Sequence, residues 1–89
     1  MRTIVERVED VRQLWRLGCP EVPLPSDERI VDWCGVYSQS ELESALTKAF
    51  SRVRTGVVRK QTPDVERYAT GVMQNRRRDG RTTEVQHGQ

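Results

Sequence analysis

The sequence predicts an all-α fold, a small bundle of four helices with a Pro-rich connector and a basic C-terminal tail. Apolar residues recur at helical spacing in four separate segments, and each segment follows a Ser or Thr of the kind that caps a helix. The chain has 89 residues and five aromatic side chains, so it has room for one small core. We expect a single helical domain over residues 1–78 and a disordered tail over residues 79–89.

The first helix is predicted over residues 3–17. Its apolar stripe, at spacings of three and four residues, consists of Ile4, Val8, Val11 and Trp15. Thr3 and Glu6 have the T-x-x-E spacing of a capping box, and Gly18 is typical of a helix end. The segment is therefore an amphipathic helix with a signal at each end.

A proline-rich segment separates the first two helices. Pro20, Pro23 and Pro25 exclude a helix interior and favour an extended path, either as a plain connector or as a strap across the core. Ser26 then caps a short second helix, which we expect to end at Gly35.

The third helix has the strongest pattern in the chain. Two overlapping capping boxes begin it, Ser38 with Glu41 and Ser40 with Glu43. Its apolar stripe consists of Leu42, Ala45, Leu46, Ala49, Phe50 and Val53. The small alanines let another helix approach closely, so we place the centre of the core on this helix.

A basic, partly extended connector over residues 54–61 leads to the fourth helix. Thr62, Pro63 and Asp64 give the preferred order of cap, first-turn proline and first-turn acid. The inner stripe consists of Val65, Tyr68, Ala69, Val72 and Met73. Gly71 interrupts this helix, and we expect it to mark a close contact with a neighbouring helix.

The sequence carries no pattern typical of an enzyme, and we expect no catalytic residue, no cofactor and no metal. His87 is the only histidine, while Cys19 and Cys34 lack the paired spacing of a zinc site. We expect both cysteines to be core or loop thiols in a reducing compartment, with a disulfide or a redox role as the alternative. No apolar run approaches the length of a membrane span, which predicts a soluble cytoplasmic protein without a membrane partner.

Charge is divided unevenly along the chain. Residues 1–46 carry five arginines against nine acidic residues, whereas residues 47–89 carry ten basic residues against four acidic ones. The second half is therefore the part that a polyanion would bind. Thirteen of the fifteen basic residues are arginine, a bias that suits phosphate binding but also arises in GC-rich genomes.

The basic residues of the second half form a candidate nucleic-acid site. We expect the phosphate contacts to come from Arg76, Arg77, Arg78 and Arg81, assisted by Arg52, Arg54, Arg59 and Lys60. Lys48 and Arg67 belong to the same basic set, which lines one face if the last two helices pack antiparallel. The alternative is that these residues only end helices and keep a small domain soluble.

Two segments resemble the DnaD-type domain of bacterial and phage replication-initiation and helicase-loading proteins. Residues 40–49 are similar to its s-E-L-x-x-A-[IL]-x-x-A pattern, and residues 68–76 to its Y-x-x-x-I-x-x-x-W pattern, with Arg76 at the tryptophan position. The likeness covers roughly residues 27–80. It implies an all-helical domain that binds DNA through its last helix and basic tail and contacts a replication partner.

We therefore expect a small, non-enzymatic DNA-binding or replication-accessory protein with little sequence specificity. The alternative is a protein interaction module or small regulator that makes no nucleic-acid contact. In both cases we expect the acidic N-terminal half to contact a protein partner, with the first helix as the candidate surface. A homodimer is a further option because a small domain gains from added burial.

Overall fold

The computed structural model describes the backbone of residues 2–87 and the side chains of residues 2–78. That part of the chain folds into four helices, α1 (Ile4–Gly18), α2 (Asp27–Val36), α3 (Gln39–Arg54) and α4 (Thr62–His87), and contains no strand. The prediction of a small all-α bundle is confirmed. None of these helices, within the described residues, combines the length and the apolar character needed to cross a membrane.

The backbone of α4 stays helical beyond residue 79, where the sequence predicts a disordered tail to begin. The side chains of residues 79–87 and all of residues 88–89 lie outside the described part of the chain. The disordered tail therefore remains a prediction.

Capping boxes begin two of the helices, as the sequence predicts. At α1 the backbone N–H of Glu6 donates to the Thr3 hydroxyl, and the backbone N–H of Thr3 donates to the Glu6 carboxylate, both at 3.2 Å. Ser38 and Glu41 make the same exchange at the start of α3. The structure uses this pair rather than the overlapping Ser40 pair because α3 begins at Gln39.

The centre of the core lies between α3 and α4, which pack antiparallel. Fully buried side chains line this interface, namely Ala45, Leu46 and Ala49 from α3 and Val65, Ala69 and Met73 from α4. The alanines leave room for the facing helix, which is the role that the sequence predicts for them. On the other side of α3, the ring of Trp15 meets Phe50 edge-on, with centroids 5.3 Å apart.

The proline-rich segment is a strap across the core and not a loose connector. Val22 and Cys19 are buried, and the indole N–H of Trp15 donates to the Val22 carbonyl at 2.9 Å. The hydroxyl of Thr62 donates to the Pro23 carbonyl at 2.6 Å. Thr62 is the first residue of α4. Its side chain therefore ties the helix to the strap instead of capping the N-terminus of the helix.

Two glycines have roles different from those predicted. Gly18 does end α1, but it also lies against the ring of Phe50, where a β-carbon would come within 2.5 Å of Cδ2. Gly71 makes no close helix contact, since no atom lies within 4 Å of the place a β-carbon would take. The prediction of close packing at Gly71 is wrong, because α4 turns that position away from the bundle. Glycine there still costs the helix about 1 kcal/mol relative to alanine.

The connector between α3 and α4 is a compact turn rather than a partly extended segment. Gly56 has a φ of 82°, and the N–H of Val57 donates to the Arg52 carbonyl at 2.9 Å. The N–H of Gly56 also donates to the Val53 carbonyl. These bonds form a Schellman motif, in which glycine takes the left-handed conformation at low cost.

Both cysteines are buried free thiols, as the sequence predicts. Burial raises the pKa of the Cys19 thiol and that of the Cys34 thiol. Each sulfur fills space as a small apolar group in the core.

Candidate nucleic-acid interface

Two side-chain contacts fix the register of α3 against α4. The guanidinium of Arg76 donates to the Ser44 hydroxyl, and Nε of Arg52 donates to the Tyr68 hydroxyl at 3.3 Å. Ser44 and Arg52 are eight residues apart on α3, and Tyr68 and Arg76 are eight residues apart on α4. The two helices therefore keep the same register over about two turns. Lys48 lies midway between Ser44 and Arg52 on the same exposed side of α3, because residues four apart share a helix face.

This register creates a groove between the two helices, which we call the α3–α4 groove. It has a volume of about 410 Å³. Besides the glycine at position 71, its lining consists of Lys48 from α3 and Arg67, Tyr68, Val72, Asn75 and Arg76 from α4. Three of these side chains are cations and none is a carboxylate. The groove is therefore an uninterrupted positive surface with a partly apolar floor.

The cations of the groove are available to a ligand. The Arg67 side chain is 80% exposed, and its ion pair with Asp64, at 3.7 Å, is open to water. Such a pair contributes little and exchanges readily. Lys48 and Arg76 are also exposed. A phosphate entering the groove would thus meet exposed ammonium and guanidinium groups, of which that of Arg76 also donates to Ser44.

Arg52 and Arg76 are the members of the predicted site that the structure brings together. They lie at opposite ends of the α3–α4 groove, each joined by its hydrogen bond to the facing helix. Lys48, which the sequence places in the wider basic set, lies between them, and Arg67 lies next to Tyr68 at the Arg52 end. The middle of the site therefore comes from Lys48, a residue that the sequence treats as secondary.

Arg77 lies on a different face of α4, where its side chain holds the bundle together. It forms a bidentate ion pair with the Glu41 carboxylate, at 3.0 and 3.1 Å, and donates to the Val36 carbonyl at 2.7 Å. Its guanidinium carbon also lies 4.6 Å from the centre of the Tyr37 ring. Hydrogen bonds from Arg77 lower the pKa of Glu41 to about 2, with help from the backbone N–H of Ser38.

The remaining predicted site residues lie outside the lining of the groove or outside the described side chains. Arg54, Arg59 and Lys60 are exposed around the α3–α4 turn, and Arg59 lines a neighbouring pocket with Arg67 and Tyr68. The charges of Arg54 and Lys60 act on the Cys19 thiol of the strap, although burial outweighs them in setting its pKa. Arg78 is exposed on α4, and the side chain of Arg81 lies beyond those described.

Two groove residues, Tyr68 and Asn75, are absent from the predicted site. The sequence assigns Tyr68 to the apolar stripe, but the ring is only partly buried and its hydroxyl reaches the groove. No signal in the sequence identifies this contact, because many residue pairs are eight apart and only the packing of α3 on α4 shows which of them face each other.

Among the side chains that the structure describes, no three His, Cys, Asp or Glu residues lie together in a way that could hold a metal ion. We compared the chain with protein-family models, with curated proteins and with solved structures, and no match was found.

Proposed function

We propose that this protein is a cytoplasmic, non-enzymatic nucleic-acid-binding protein that holds phosphates in the α3–α4 groove. The supporting observation is the lining of that groove, which includes three exposed cations and no carboxylate. Cations clustered in a groove whose lining includes no carboxylate attract the phosphate backbone irrespective of base sequence. The resemblance of residues 40–49 and 68–76 to the DnaD-type domain favours a role as a replication accessory protein.

The groove offers four cations to phosphates, and this number sets the expected salt dependence. Lys48, Arg67 and Arg76 line it, and Arg52 adjoins it through the hydrogen bond to Tyr68. Each phosphate neutralised on duplex DNA contributes about −0.9 to the slope of log affinity against log salt concentration. We therefore expect a slope of about −3 to −4 for this groove.

The test is fluorescence anisotropy of the full chain against labelled duplex and single-stranded DNA over a range of salt concentrations. Lys48→Ala and Arg76→Ala should each weaken binding and reduce the slope by about one. The matched control is Arg16→Ala, which removes an exposed arginine from α1 and should leave binding unchanged. Arg77 is not used as a probe because its loss would release Glu41 and disturb the fold. Absence of binding by the unmodified chain at low salt would refute the proposal.

A second candidate function, a protein interaction module, is favoured by an apolar groove between α1 and α2. This α1–α2 groove has a volume of about 390 Å³, and its apolar lining consists of Ile4, Val5, Val8 and Val31. Val5 is 73% exposed and lies beside other exposed apolar side chains. A contiguous exposed apolar patch of this kind is typical of an interaction site.

We assign a second copy of the chain as the occupant of the α1–α2 groove. Arg12 pairs with both Glu9 and Asp27 beside the groove, and Arg16 also pairs with Glu9, so two arginines balance the two carboxylates there. Two identical faces can then meet without repulsion between like charges. In sedimentation equilibrium the chain should dimerise, and Val5→Asp should abolish the dimer, while Leu17→Asp, at another exposed apolar site, should not. A monomer at all concentrations would refute this candidate.

A further inference from the structure

Gly71 leaves a gap on the outer face of α4 that the fold itself does not require. No atom lies within 4 Å of the place its β-carbon would take, so neither a neighbouring helix nor a loop demands a glycine there. Its backbone lies within helical α4, and every glycine outside position 56 has a negative φ within the described residues, so conformation does not demand it either. Glycine is among the least favourable residues in a helix interior.

The gap lies inside the basic surface. Arg67 and Asn75 are four residues before and after Gly71, so all three share one face of α4, and their side chains flank the gap. The two flanking positions are about 12 Å apart along the helix axis. Between them the main chain of α4 is partly exposed at Gly71.

The gap also joins two grooves. Gly71 and Arg67 line both the α3–α4 groove and a second groove, of about 460 Å³, between α2 and α4. The second groove carries the polar side chains of Thr70 and Gln74, and its Arg29 is paired with Glu66 at 3.6 Å. A chain-like ligand that leaves the α3–α4 groove must cross α4 to enter the second groove. Gly71 is the position at which it can cross without contacting a side chain.

We propose that Gly71 is a contact position at which the sugar-phosphate backbone of a nucleic acid lies directly against the main chain of α4. This inference rests on the proposed function and adds the path of the strand to it. Phosphates on one side of the gap bind Lys48 and Arg76, and Arg67 reaches the strand as it crosses. The absent side chain allows the backbone to approach closely enough for these contacts to form together.

Substituting Gly71 tests this path, with anisotropy against labelled duplex DNA at one low salt concentration as the readout. Gly71→Ala should raise the dissociation constant by about tenfold, and Gly71→Leu by more, because each larger side chain fills more of the gap. Gly35→Ala is the matched control, since Gly35 also has open space around it but lies on α2. Both alanine variants should retain or increase helix content by circular dichroism, because alanine favours helix.

Three outcomes would overturn the inference. If both Gly71 variants bind like the unmodified chain while Arg76→Ala binds more weakly, the strand does not cross at Gly71, and the proposed function still stands. If Gly35→Ala weakens binding as much as Gly71→Ala, the effect comes from helix stiffening and not from the gap. If the unmodified chain does not bind DNA, the proposed function fails and the inference fails with it.

Discussion

Gly18 and Phe50 are in direct contact, and the contact requires that residue 18 have no side chain. A β-carbon at Gly18 would lie 2.5 Å from Cδ2 and 3.0 Å from Cε2 of the Phe50 ring. Phe50 cannot easily move away, because its side chain is fully buried and Trp15 packs edge-on against it. The end of α1 is thereby positioned against the middle of the core.

Gly18→Ala should lower the free energy of unfolding by about 1–3 kcal/mol, the usual cost of overpacking a core. Gly35→Ala, where nothing lies within 4 Å, should instead raise it by about 0.5–1 kcal/mol. Urea denaturation followed by circular dichroism measures both changes. Equal stability of Gly18→Ala and the unmodified chain would show that Phe50 adjusts freely.

Arg7 stabilises the corner between α2 and α3. Its guanidinium donates to the Cys34 carbonyl at 2.8 Å, to the Tyr37 carbonyl at 2.7 Å and to the Gln39 side chain at 3.0 Å. The last carbonyls of a helix have no partner within it, so Arg7 satisfies groups at the end of α2 from a neighbouring helix.

Arg7→Ala should lower the free energy of unfolding by about 1–3 kcal/mol, because it leaves partly buried carbonyls without a donor. Arg7→Lys is the matched control: it keeps the charge but lacks the planar fork that reaches three acceptors, so it should restore only part of the loss. Denaturant midpoints of the three proteins give the comparison. Full restoration by lysine would mean that charge, and not the fork, matters here.

The ion pair between Glu41 and Arg77 should make stability depend on pH under acidic conditions. The pKa of Glu41 is about 2 in the fold, below its ordinary value of 4.5. Its contribution is therefore complete above pH 4.5 and is lost as the pH falls from about 4.5 through about 2. Urea midpoints measured over this interval should fall more steeply for the unmodified chain than for Glu41→Gln.

Glu41→Gln is suited to this test because glutamine can still serve in the capping box at the start of α3. Glu43→Gln removes a nearby carboxylate that Arg77 does not contact, and it should keep the steep dependence. Parallel curves for the unmodified chain and Glu41→Gln would contradict the role of the ion pair.

The sequence predicts the helices well because their signals are local. Thr3 with Glu6 and Ser38 with Glu41 fix two helix starts within four residues, and the spacing of Ala45 and Ala49 identifies the core face of α3. A glycine's role, in contrast, depends on which residue lies across from it. Gly18 and Gly71 differ in just this respect, and spacing along the chain does not contain that information.

The site is predictable only in part, for the same reason. Arg76 and Arg77 are neighbours in sequence, but successive helix residues point in directions about 100° apart, so one faces the α3–α4 groove and the other faces Glu41. Composition shows that the second half is basic. The packing of α3 on α4 decides which cations lie together.

The measurement that tests the proposed groove most directly is a two-dimensional ¹H–¹⁵N NMR titration of the full chain with a short DNA duplex. Binding in the α3–α4 groove should shift amide signals around residues 44–52 and 67–76, with smaller changes along α1. Shifts confined to α1 and α2, or no shifts at low salt, would contradict the assignment of the α3–α4 groove as a nucleic-acid site.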